Sequence, residues 1–200
     1  TNSFELGRTI WQEKKSLGDD VNRDLMKKFR LYMIVGGMPQ AVEAFIKTNN
    51  FSKVDLVKRD ILKLYENDFM KFDSSGRSSL IFDHIPAELQ KNASRYQISS
   101  VIENARAGTM LERIAKLQDS KTVNIAYHAN APEAGLSQNI DLEKFKLFLC
   151  DTGLFVTLCF KNKEFTENII YEKLLSDKIP SNLGYVYENV VAQMLIAKGD

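Results

Sequence analysis

The chain has few residues whose types and spacing could do chemistry. His84 and His128 are its two imidazoles, 44 positions apart, and Cys150 and Cys159 its two thiols, nine apart and each inside an apolar run. Neither pair has the further ligands that a zinc site needs, so the thiols read as buried and reduced, as in a cytoplasmic protein. Each histidine reads as a satisfied imidazole of surface or core, not as a ligand or base. Asp68 and Lys71 stand three apart on one helical pattern, the spacing of a local ion pair. Arg113, Lys116 and Lys121 fall toward one side of a later helical segment and the turn after it. They form either a solvated basic face or, if a duplex is bound, its phosphate contacts.

Missing motifs restrict the chemistry further. The sequence contains no G-x-x-x-x-G-K-[ST] loop to cradle phosphate, no G-x-S-x-G elbow, no H-E-x-x-H and no G-x-G-x-x-G fingerprint. On its own the chain is not expected to be an enzyme. Its 44% apolar and 26% charged residues are ordinary for a folded domain, and 200 residues suffice for a sizeable core. A net charge of +1 gives no global field for nucleic acid, which favours protein partners or weak, local DNA contact. No apolar run approaches the roughly 18 residues that span a bilayer. The chain opens on Thr-Asn-Ser without a start methionine and closes on Gly199-Asp200 at a helix end, so a piece of a longer protein is expected.

The elements that must position these residues follow from periodicity. Ser3–Lys15 reads as a short amphipathic helix with Phe4, Leu6, Ile10 and Trp11, the tryptophan acting as a packing anchor. Val21–Val35 carries a stripe of Val21, Leu25, Phe29, Tyr32 and Met33, with Asp20 as candidate cap. Gly36-Gly37 then frees the backbone for a helix C-cap, and Pro39 suits the first turn of the next helix, Gln40–Lys47. Ser52–Lys71 shows Val54, Val57, Ile61, Leu64, Tyr65 and Phe69 on one stripe, Ser52 as cap, and Asp55 near the positive end of the dipole. Asp73–Gly76 breaks the pattern.

Ser78–His84, Pro86–Ala93 and Ser99–Ala105 are short helical candidates, and Thr109–Gln118 is a stronger one with Thr109 and Glu112 spaced as a capping box. The period then changes. Val123, Ile125 and Tyr127 alternate with polar or small neighbours, a loop holds Pro132 and Gly135, and Phe145–Leu149 makes a second strand. Asp151-Thr152-Gly153 turns into Leu154–Phe160; helices over Glu167–Leu175 and Leu183–Lys198 follow. Three short helices before a hairpin are the plan of a winged helix, with Thr109–Gln118 as the recognition-type helix. The last helix carries Tyr187, Val190, Val191, Met194 and Leu195 as one apolar stripe.

Four segments also carry a resemblance. Gly36–Pro39 (G-G-M-P), Tyr65–Lys71 (Y-E-N-D-F-M-K), Phe145–Phe155 (F-K-L-F-L-C-D-T-G-L-F) and Gly184–Met194 (G-Y-V-Y-E-N-V-V-A-Q-M) stand in the chain in that order. In that order they resemble the C-terminal region of a family of bacterial and archaeal AAA-type ATPases. That family has a restriction-endonuclease-like C-terminal domain of uncharacterised role. The resemblance covers roughly residues 20 to 200. It implies that Gly37, Met38 and Pro39 line the base side of a nucleotide site, the proline beside adenine, while the phosphate half belongs to an ATPase core upstream. ATP or ADP would be bound by the full-length parent and not by this fragment. Gly184, Glu188, Asn189 and Val191 match the family's G-x-x-x-E-N-x-V opening, which makes Glu188 a remnant of a nuclease-like site. Alone it is a solvated helix carboxylate that can hold no metal, since Mg²⁺ needs further oxygens.

The expected fold is therefore mainly α, of α+β class: a helical lid followed by a winged-helix module with a small β-hairpin. Its expected divisions are a lid-like subdomain over 1–73, the winged-helix module over 74–165 and opening helices of a truncated domain over 166–200. The expected partners are the missing ATPase core, DNA or protein at the winged helix, and a second copy through the last helix, but no membrane. Two alternatives from other classes are a free-standing winged-helix DNA-binding regulator and a protein-interaction scaffold.

Overall fold

A computed structural model describes residues 3–16, 18–130, 139–162, 168–176 and 184–199. In chain order the helices are α1 (Ser3–Gln12), α2 (Asp19–Val35), α3 (Pro39–Thr48), α4 (Phe51–Phe72), α5 (Arg77–Asp83), α6 (Ile85–Gln90), α7 (Ile98–Val101) and α8 (Ala107–Asp119). Strands β1 (Val123–Ala129) and β2 (Ile140–Leu149) follow, then α9 (Thr152–Cys159), α10 (Asn168–Leu175) and α11 (Gly184–Lys198). The protein is mainly α, with one small antiparallel hairpin. No described helix is long and apolar enough to cross a membrane.

The strands pair from Val123 opposite Leu149 to Ala129 opposite Ile140, with an irregularity between Tyr127 and His128. β2 runs five residues further back than its apolar part, because Ile140–Lys144 is an exposed or half-buried extension. The loop read around Pro132 and Gly135, and Glu167 and Leu183 at two helix starts, lie outside the described residues.

One apolar core runs from Met33 and Ile34 on α2, through Leu62 and Phe69 on α4 and Ile81 and Phe82 on α5, to Ile114 and Leu117 on α8. It continues through Phe145 and Leu147 on β2 and Phe155 on α9 to Val186 and Val190 on α11. The break at Asp73–Gly76 is pinned, not loose. The Asp73 carboxylate accepts from the Ser78 amide and hydroxyl at 2.8 Å each and from Arg113 Nε at 3.1 Å. Burial raises this carboxyl, but the Ser75 and Ser78 hydrogen bonds and the Arg113 charge outweigh it and hold it well below the usual range.

Several local expectations need correction. Trp11 is 84% exposed on α1 and anchors nothing among the described residues; the side chains of Phe4 and Leu6 lie outside them. The α2 stripe is exposed at Val21 and Leu25 and meets the core only from Phe29 onward. Gly18, not Asp20, is the α2 N-cap, with Asp19 and Asp20 in the first turn. Asn50 caps α4, taking the Ser52 amide at 2.9 Å, because an Asx side chain two residues back reaches that donor first. Thr109 lies inside α8 and its hydroxyl donates to Arg106 O, while Glu112 pairs with Lys116, so no capping box forms.

On α4 the buried face is Val54, Asp55, Lys58, Leu62 and Phe69; Leu64 points to solvent. The Asp68–Lys71 pair is present at 2.5 Å on the exposed face. On α11 Val190 is buried and Tyr187 half-buried against Phe29, whereas Val191, Met194 and Leu195 are exposed.

Candidate functional site

The corner between α2 and α3 is built by its two glycines unequally. Gly36 ends α2 at φ 81°, ψ −168°, a backbone region essentially restricted to glycine, while its amide closes the last turn onto Tyr32 O at 2.8 Å. A β-carbon there would overlap Asp151 Oδ1 and lie 2.9 Å from the Gly153 α-carbon. Gly153 is equally tight from the other side, since its β-carbon would sit 2.5 Å from Val35 O and 2.6 Å from the Gly36 amide nitrogen. The two glycines therefore let two backbones touch. Gly37 has no positive φ, is exposed, and donates its amide to Asp151 Oδ2 at 2.6 Å.

Asp151 thereby holds two segments at once. Its Oδ1 accepts the Leu154 amide at 2.8 Å as the N-cap of α9, and its Oδ2 reaches back to the corner. From α4 the Lys58 amine, fully buried, donates to Ile34 O at 2.8 Å and Gly153 O at 3.2 Å and lies over the Tyr171 ring. Burial pulls the Lys58 amine down to about 8, against the opposing attraction of Asp55 and Asp151. Asp55, also buried, accepts from Arg59 Nε at 2.8 Å, the Tyr171 hydroxyl at 2.8 Å and the Thr157 hydroxyl at 3.2 Å. Together these satisfy a polar layer that would otherwise oppose folding.

α11 closes the other side of the same junction. Asn189 accepts the Leu149 amide at 2.8 Å and donates back to Leu149 O at 3.3 Å, finishing the ladder where β2 ends. Gln193 Oε1 accepts the Thr152 hydroxyl at 2.7 Å, and its Nε2 donates to the Tyr32 hydroxyl at 2.9 Å. Burial, then the Asp151 charge, raises the Tyr32 hydroxyl.

Of the residues singled out by sequence, Met38 is the half-buried N-cap of α3 and Pro39 its exposed first residue, both beside Gly37. Arg113 is committed to Asp73, and Lys116 to Glu112 at 2.7 Å. Lys121 stands exposed in the turn before β1 at φ 59°. Glu188 is paired with Lys146 of β2 at 2.5 Å. His84 Nδ1 lies 2.8 Å from Leu80 O, and His128 is exposed on β1 opposite Asp141. Burial pushes the Cys150 thiol up to about 11 and the Cys159 thiol up to about 12, away from thiolate chemistry. No group of metal-binding side chains occurs among the described residues.

Sequence reasoning treated Asp151 only as the start of a turn and missed Asp55 and Lys58 as buried groups. The available signal for Lys58 was its spacing, four residues from Val54 and four from Leu62, which places a charge inside an apolar face. No curated protein and no solved structure matches the chain. Residues 26–165, which include the corner, its Asp151 partner and the hairpin, match one family model, and the chain belongs to that family, described as Domain of unknown function (DUF8612).

Proposed function

We propose that this chain is the C-terminal, non-catalytic part of an AAA-type ATPase, in which a nucleotide-sensing corner is joined to a winged-helix arm that binds DNA or protein. Gly37, Met38 and Pro39 form the base side of an ATP or ADP site whose phosphate half lies on a core upstream of Thr1. The observation that carries this reading is the Gly36–Asp151–Gly153 contact. It ties the corner by side chain and by backbone to the residues directly after β2. A nucleotide that moves the corner would then move the hairpin and α8 with it, which is how a lid biases two states.

The isolated chain binds ATP negligibly, because apolar contact with a base lacks the phosphate interactions. The parent works in the cytoplasm, and the exposed outer face of α11 at Val191, Met194 and Leu195 serves contact with a second copy. Glu188, held by Lys146, acts here as a structural partner of β2. The coding sequence upstream of Thr1 tests the reading. A G-x-x-x-x-G-K-[ST] loop about one domain earlier is expected, and its absence would leave the arm as a free-standing module.

A further inference from the structure

The turn between α7 and α8 borders a groove of about 470 Å³, lined among others by Arg95, Tyr96, Gln97, Ile98, Arg106 and Glu143. Arg95 and Arg106 are exposed and make no ion pair among the described residues. The cations of α8 itself differ, since Arg113 is taken by Asp73 and Lys116 by Glu112. We propose that this groove is the contact for the phosphodiester backbone of a nucleic acid, gripped by the guanidinium groups of Arg95 and Arg106. The proposal rests on the reading of α5–β2 as a winged-helix arm and names the surface and partner that this arm uses.

Both arginines stand on fixed backbone. Next to Arg95, the Tyr96 amide donates to Phe145 O at 2.7 Å and its hydroxyl to Ile81 O at 2.7 Å, while its ring stacks on Phe145. The following Gln97 amide donates to Glu88 Oε2 at 2.9 Å, and the Ser100 hydroxyl to Glu88 Oε1 at 2.6 Å. Arg106 is the N-cap residue of α8, its carbonyl accepting the Thr109 amide at 3.1 Å and hydroxyl at 2.8 Å. Two planar five-donor forks suit phosphate oxygens, and the backbone that carries them needs no further ordering on binding.

The placement favours nucleic acid over an acidic peptide. In a helix-turn-helix the second helix enters the major groove by its N-terminal end while the first crosses the phosphate backbone, which puts Arg106, at the start of α8, and Arg95, just before α7, beside the duplex. Glu143 opposes the contact. It is exposed on β2, and a β-carbon on Gly108 would lie 2.7 Å from its Oε1, so its carboxylate sits against the first turn of α8. Its charge weakens the capture of a second anion, in keeping with the small net charge of the chain.

The test is a fluorescence titration of a labelled mixed-sequence duplex at low salt, repeated at rising salt, using the whole 200-residue chain. Arg95→Ala/Arg106→Ala should weaken binding by about tenfold at low salt and reduce the salt slope by about 1.8, two lost phosphate contacts. Glu143→Gln should tighten it several-fold, and melting temperatures should not move, because neither arginine has an ion-pair partner among the described residues. Wild-type binding by the double variant, with loss in Lys116→Ala/Lys121→Ala, overturns the groove and leaves the nucleic-acid arm standing. No duplex bound at low salt overturns the groove proposal and leaves the arm with protein as its partner. A polyglutamate peptide of equal charge that competes as well as the duplex replaces nucleic acid with an acidic protein as partner.

Discussion

Gly36→Ala and Gly37→Ala are neighbouring substitutions with very different expected outcomes. At Gly36 the backbone lies at φ 81°, ψ −168°, so alanine adds strain of about 1–3 kcal/mol. Its β-carbon also overlaps Asp151 Oδ1, and displacing that carboxylate endangers its bonds from Gly37 and Leu154. Hydrogen bonds to a charged group contribute about 1.5–3 kcal/mol each, so losing one of them with the strain gives a loss on the order of 4 kcal/mol. That is a large share of the roughly 5–15 kcal/mol by which a domain is stable. At Gly37 φ is unexceptional and a β-carbon meets only Asp151 Oδ2, at 3.5 Å, so the change should stay within about 1 kcal/mol. Urea unfolding followed by circular dichroism measures both, the midpoints giving stability if the slope is unchanged. Equal, small losses for the two alanines would refute the tight contact at the corner.

Three further outcomes follow from buried groups. Lys58 has its amine lowered from 10.5 to about 8, so between those values the unfolded chain binds more protons and wild-type stability should rise with pH. Relative to Lys58→Met the gain across that window is about 3 kcal/mol, and parallel pH curves for the two proteins would contradict it. Asp73 is depressed below its ordinary 3.8, so it stabilises the fold above that pH and its contribution fades as pH falls further. Asp73→Asn should flatten the acid limb of an unfolding series below about pH 4. Asn189→Ala leaves the Leu149 amide and carbonyl without their α11 partner, which should lower stability by about 2–4 kcal/mol in a thermal melt. An unchanged melting temperature would mean that α11 does not complete β2.

The sequence shows the corner because glycine and proline have backbone preferences that survive any context, and Gly36 and Pro39 occupy the C-cap and first-turn positions expected of them. The hairpin was visible for a similar reason, since Val123, Ile125 and Tyr127 alternate over a half-buried face. What one strand of text cannot show is partner choice over long separations. Asp151 could be seen to start a turn, but its hold on Gly37 spans 114 residues. Arg113 looked free on its helix and is taken by Asp73, 40 residues away. Stripe assignment failed on α4 because apolar Leu64 faces water while Asp55 and Lys58 face inward. Their burial depends on carbonyls, hydroxyls and rings supplied by α2, α9 and α10. Arg95 and Arg106 were overlooked because neither lies on a periodic face; only the fold brings them to one groove.

The central claim is that the corner forms one wall of a nucleotide site, and equilibrium binding of ATP to this chain joined to its upstream core tests it most directly. Pro39→Ala, an exposed first-turn residue whose loss should not disturb the fold, is expected to weaken nucleotide binding by about 1 kcal/mol, or about fivefold in Kd. Affinity equal to wild type in that protein would contradict the claim.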